Sequence, residues 1–83
     1  MAPTPKPDLT ADDRFETDLD VCSEVKLYLH SLMTKLQPGQ VLAFTSSDPN
    51  AEREIADWAA LRGYSLLAVE ALDDGRTRFF IQR

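Results

Sequence analysis

Cys22 is the only cysteine in this chain and its clearest candidate for covalent chemistry. It stands at the head of a helical pattern. Val25, Tyr28, Leu29, Leu32, Met33 and Leu36 recur at helical spacing and form one apolar stripe, and Pro38-Gly39 closes the segment. A thiol at the N-terminal edge of that stripe lies beside backbone N–H groups that lack an intrahelical partner. It also lies at the positive end of the helix dipole. Both favour thiolate over thiol. The dipole contributes only ~0.3–1 kcal/mol, so neighbouring charges count as much. Lys26, one turn on, favours ionisation, whereas Asp18, Asp20 and Glu24 oppose it. On residue chemistry alone Cys22 is either an accessible nucleophile or a small apolar side chain packed at the top of the stripe, the commoner fate of free cysteines.

No other residue pairs with it convincingly. His30 is eight residues further on, ~12 Å along a helix and outside hydrogen-bond reach, so it reads as a surface histidine. One cysteine, one histidine and scattered carboxylates show no metal-ligand spacing, and neither a metal nor a cofactor is expected. Phe44 and Trp58 fall at core positions of their periodic patterns. Arg14, Lys26 and Arg53 are the cations that could border a docking face around the thiol, although ordinary solvated charges are the simpler reading.

The elements that must position Cys22 follow from local pattern. Residues 1–13, with Pro3, Pro5 and Pro7 among small and charged side chains, offer little apolar surface and read as a disordered tail. From Arg14 to Val21, Phe15, Thr17, Leu19 and Val21 alternate with charged residues, the period of a half-buried strand. The following helix has Asp20 or Ser23 as its cap. Val41 to Thr45 is an unbroken apolar run suited to a central strand, reached by a right-handed crossover. Asp48-Pro49 predicts a helix start, with Pro49 at the first helical position. Ala51, Ile55, Trp58 and Ala59 give that helix its buried face, and Gly63 its left-handed stop. Ser65 to Leu72 and Thr77 to Gln82 read as strands joined through Asp73-Asp74-Gly75-Arg76. The predicted order is β-α-β-α-β-β. It makes an α/β two-layer sandwich, a four-stranded mixed sheet with two helices on one face, over residues 14–83.

Size and charge bound the function. With 83 residues there is room for one small domain, which buries only ~60% of its unfolded surface. A single cysteine excludes an intramolecular disulfide, so any sulfur chemistry must be completed by another molecule. The net charge of −5 and the lack of a Lys/Arg cluster argue against nucleic-acid binding. No apolar run approaches the ~20 residues of a membrane span, and no secretory h-region is evident, so a soluble cytoplasmic protein is expected.

The order of elements, Cys22 at the start of the first helix, Pro38-Gly39 before the second strand, Asp48-Pro49, and Ile55 with Trp58 followed by Gly63 together resemble the TusA/SirA-like sulfur-carrier proteins from about Phe15 to Arg83. In that family the cysteine stands in a Cys-Pro-x-Pro motif. Here Ser23 and Val25 occupy the proline positions, and Gly63-Tyr64-Ser65-Leu66 is similar to the family's Gly-His-x-Leu with tyrosine for histidine. The resemblance implies that Cys22 carries a persulfide sulfur, taken from a cysteine desulfurase or rhodanese-type donor protein and passed to an acceptor protein. The replaced prolines, which in the family fix the backbone near the thiol, leave a second reading: an interaction or regulatory module of the same fold that no longer transfers sulfur.

Overall fold

The computed structural model describes residues 11–83. The disorder expected of the N-terminal tail falls mainly on residues 1–10, outside the described residues. The chain forms β1 (Asp13–Thr17), α1 (Ser23–Lys35), β2 (Val41–Ser46), α2 (Ala51–Arg62), β3 (Ser65–Ala71) and β4 (Thr77–Gln82). The four strands make one mixed sheet in the order β1-β2-β4-β3, with β1 parallel to β2 and the other two pairings antiparallel. This is the expected two-layer α/β sandwich.

Every residue of β2 is buried, as its apolar run requires, and the strand lies between β1 and β4. Both helices cover the face that carries Leu42, Phe44, Phe79 and Ile81. Val25, Leu29, Leu32, Met33 and Leu36 from α1 and its end, and Ala51, Ile55, Trp58 and Ala59 from α2, complete one core. Val41, Ala43 and Phe80 form a smaller cluster on the opposite face. Within the main core the strand register brings Phe15, Phe44 and Phe79 side by side. Their rings stack at 5.7 and 6.0 Å between centroids, and Tyr28 of α1 meets Phe15 edge-on at 4.7 Å. Such aromatic contacts add to the area they bury, so this row ties three strands to α1.

The strand predicted over Arg14–Val21 is shorter and shifted. It starts at Asp13, preceded by Asp12, whose N–H donates to the Val41 carbonyl and whose carboxylate accepts from the Val41 N–H. It ends at Thr17, where the hydroxyl accepts the Leu19 N–H and turns the chain away. Alternation continues through residues 18–21, but β1 has only β2 to pair with, and that ladder ends at Thr17–Ser46. Leu19, expected to point inward, is 67% exposed, whereas Val21 is buried.

The ends of the elements are held by specific contacts. Gly63 adopts φ 80°, and the N–H groups of Gly63 and Tyr64 donate to the carbonyls of Ala60 and Ala59, closing α2. The Arg83 guanidinium donates to the Thr34 and Leu36 carbonyls at the end of α1. Between β3 and β4, Leu72 and Arg76 are bonded across the predicted Asp-Gly turn, with Gly75 at φ 87°. Arg76 also pairs with Glu16 at 3.3 Å and so ties the hairpin to β1.

Two substitutions test this account. Phe44→Ala removes the middle ring and should cost ~3–5 kcal/mol in urea unfolding, with Phe44→Leu nearer ~1 kcal/mol. A Cβ at Gly63 meets no atom within 4 Å. Gly63→Ala should therefore cost only the ~1–2 kcal/mol of a left-handed residue, with native packing intact by near-UV circular dichroism.

Candidate functional site

The loops that follow β1 and β2 emerge at the same end of the sheet because these strands are parallel, and the β3–β4 turn closes that end through Arg76 and Glu16. Cys22 lies on the first of these loops. It is the residue immediately before α1, in extended conformation (φ −104°, ψ −175°), and its carbonyl accepts the Lys26 N–H as the first bond of the helix. No side chain caps that helix end. The thiol is exposed and free. Of the two fates open to Cys22 in the sequence, the geometry gives the accessible one.

What fixes the thiol is its neighbours. Val21 and Val25, one before it and three after, are both buried in the main core and bracket it like two anchors. The Val21 N–H donates to Asp48 Oδ2 at 2.8 Å, and Asp48 Oδ1 accepts the Asn50 N–H at 2.9 Å. One carboxylate thus joins the loop after β1 to the loop after β2. The two N–H donors hold its pKa below the ordinary 3.8, Val21 having the larger effect. Sequence reasoning had Asp48 capping a helix that begins at Pro49. The helix instead begins at Ala51, after a turn closed by the Ala51 N–H on the Asp48 carbonyl. An Asx turn and a helix cap share the same local signal, Asp before Pro, and only the long-range bond to Val21 separates their roles.

A groove of about 210 Å³ opens beside the thiol, lined by Phe15, Thr17, Leu19, Cys22, Glu24, Val25 and Tyr28. Its walls are mainly apolar, and Tyr28, expected within the buried stripe, is 49% exposed at its rim. Leu19 and Tyr28 are the functional candidates that sequence reasoning missed. The run Asp18-Leu19-Asp20, charged on both sides of one leucine, was the available sign of a turn. A larger groove of about 420 Å³ between α1 and α2 begins at Ser23 and includes Lys26, Leu27, Trp58 and Leu61.

Arg14, Lys26 and Arg53, which could border a docking face or be ordinary solvated charges, do not line the groove beside Cys22. Arg14 lines a groove on the helix-free face with Glu16, Ala43, Thr45 and Arg78. Lys26 is bound to Glu54 of α2 at 2.7 Å, and Arg53 lies 4.0 Å from the same carboxylate. The hydrogen bond and charge of Lys26 hold the Glu54 carboxyl below its usual range. His30 is half-buried rather than on the open surface: its Nδ1 is 3.1 Å from the Tyr64 hydroxyl. Tyr64 in turn lies 5.4 Å from the buried Trp58 ring. Phe44 and Trp58 are core residues, as their spacing predicts. Among the described residues no cluster of three His, Cys, Asp or Glu could hold a metal ion, and no helix is long and apolar enough to cross a membrane.

Chemically, this arrangement can present one sulfur atom at a helix start, next to an apolar recess, on a loop held from behind. Residues 20–83 match the family described as Sulfurtransferase TusA. The chain is also 45% identical over 51 residues to a protein of Aquifex aeolicus (strain VF5) provisionally named a sulfur carrier protein. That alignment covers 61% of this chain, which spans about a quarter of the relative's length.

The Asp48 clamp makes a pH-dependent prediction. A carboxylate whose folded pKa is depressed stabilises the fold fully above its unfolded value, and that contribution is lost as pH falls through the folded one. Protection of the Val21 and Asn50 amides from hydrogen exchange should therefore persist above pH 3.8 and fall below it. Asp48→Ala should abolish it at all pH values at a cost of ~1–3 kcal/mol, and Asp48→Asn should retain one of the two bonds without the pH dependence.

Proposed function

Because the chain belongs to the TusA sulfurtransferase family, we propose that it is a cytoplasmic sulfur carrier whose Cys22 accepts a sulfur from one protein and delivers it to another. The observation that carries this reading is the exposed Cys22 thiol at the start of α1, anchored on both sides by buried valines. The donor is a protein persulfide of the cysteine desulfurase or rhodanese type. The Cys22 thiolate attacks the outer sulfur of that persulfide, the donor's S–S bond breaks, and the donor cysteine leaves with the electron pair as a thiolate. Cys22 then bears the S–S bond and the sulfane sulfur. Attack on that sulfur by the acceptor's nucleophile releases Cys22 as thiolate. Neither transfer needs a metal, a cofactor or a change in net oxidation state. The protein acts as reagent and shuttle.

Ser23 and Val25 stand where the family has prolines, which favours one competing reading: a docking or regulatory module that has kept the fold alone. Two features support the carrier reading beside it. Val25 is buried and Val21 is bonded to Asp48, so the loop is fixed without either proline.

Incubation with a cysteine desulfurase and L-cysteine, followed by intact-mass measurement, should show an adduct of one sulfur atom that reductant removes and Cys22→Ser abolishes. An alkylatable Cys22 that gains no sulfur would leave the docking-module reading, in which Cys22→Ser retains partner binding.

A further inference from the structure

Lys26 is closed by Glu54, and Arg76, on the adjoining hairpin, by Asp74 and Glu16. Glu24 lines the groove beside Cys22, and Asp18 and Asp20 are exposed on the loop that leads to it, Asp18 within reach of the Arg76 charge. The apolar groove of Phe15, Leu19, Val25 and Tyr28 opens beside Cys22 and Glu24, with Leu19 67% exposed. An apolar recess next to a reactive atom gains from being covered, and an acidic rim decides by what. A second copy of this chain would bring carboxylates against carboxylates, on a molecule of net charge −5.

We propose that the groove docks the sulfur-bearing segment of a partner protein in which the reacting cysteine lies beside an apolar side chain and is flanked by lysine or arginine. The apolar side chain fills the recess against Leu19 and Tyr28, and the partner's cations meet Asp20 and Glu24. This rests on the carrier reading and adds to it a rule for which proteins can exchange sulfur with Cys22. The carboxylates act as positioning residues, so they govern the rate of encounter and its salt dependence.

Three blocked peptides test it: Lys-Leu-Cys-Leu-Lys, Glu-Leu-Cys-Leu-Glu and Lys-Gly-Cys-Gly-Lys, each with its cysteine activated as a 2-thiopyridyl disulfide. Cys22 thiolate attacks the peptide sulfur, the bond to the pyridyl sulfur breaks, and thiopyridone leaves with the electron pair and takes a proton from solvent, giving an absorbance readout. Rates are divided by those with 2-mercaptoethanol to remove each probe's intrinsic reactivity.

At low salt the basic apolar probe should react roughly tenfold faster than the acidic one, consistent with two exposed ion pairs. That ratio should shrink toward one at high salt and in the double variant Asp20→Asn/Glu24→Gln. The glycine probe should be several-fold slower than the leucine probe, a gap that Leu19→Ser removes. Equal normalised rates for all three probes would overturn the proposal, as would a preference that survives the double variant. Self-association of the chain that Leu19→Ser abolishes would also overturn it by making a second copy the occupant. Probe discrimination without a desulfurase-dependent sulfur adduct would support the groove and remove the carrier reading. An adduct without discrimination would do the reverse.

Discussion

The bond from the Val21 N–H to the Asp48 carboxylate is the contact on which the site depends. It spans 27 residues of sequence and joins the loop after β1 to the loop after β2. Without it Val21 would have a buried side chain and an orphaned N–H, the kind of group that costs more than a made bond returns. With it, the chain leaves β1, turns at Thr17, exposes Leu19 and arrives at Cys22 from a fixed direction. Asp48 also accepts from Asn50, so the same carboxylate shapes the turn into α2. Position of the thiol and start of the second helix are therefore one structural decision.

Behind that clamp lies the aromatic row of Phe79, Phe44 and Phe15, which crosses the sheet from β4 to β1 and ends against Tyr28 at the rim of the groove. The recess beside Cys22 is thus the outer end of the core, an apolar surface left uncovered where α1 begins. Placing both helices on one face leaves the other to Arg14, Glu16 and Arg78 around Ala43 and Thr45. Charges near the thiol are sorted as well. Lys26 and Arg76 are used internally, to tie α1 to α2 and the hairpin to β1, while Asp20 and Glu24 are exposed.

A carrier has to hold its sulfur where two different proteins can reach it and must not bind either of them permanently. An exposed thiol with a fixed backbone meets the first need. In the carrier role proposed above, an apolar recess bordered by Glu24 would meet the second, because charge contacts at a rim speed encounter more than they slow release.

How much of this could be read without coordinates differs element by element. The apolar run of β2, the stripe of α1, the buried face of α2 with Gly63 behind it and the Asp-Gly turn are local patterns. Side-chain periodicity reports burial wherever an element packs on one layer, so the sandwich and the place of Cys22 at a helix start follow from the residues themselves. The same reasoning carried β1 too far, because alternation cannot show where a ladder partner ends. It put His30 on the open surface because the Tyr64 hydroxyl lies 34 residues away. Where Arg14, Lys26 and Arg53 lie relative to the thiol is open in the sequence, because nearness along the chain does not fix nearness in space. The sequence by itself determined the architecture and the one candidate thiol at a helix start, both legible from patterns within a few residues. Only the tertiary structure decided that this atom is exposed, what fixes it and which charge surrounds it, because each depends on pairings between loops that are adjacent in space and distant along the chain.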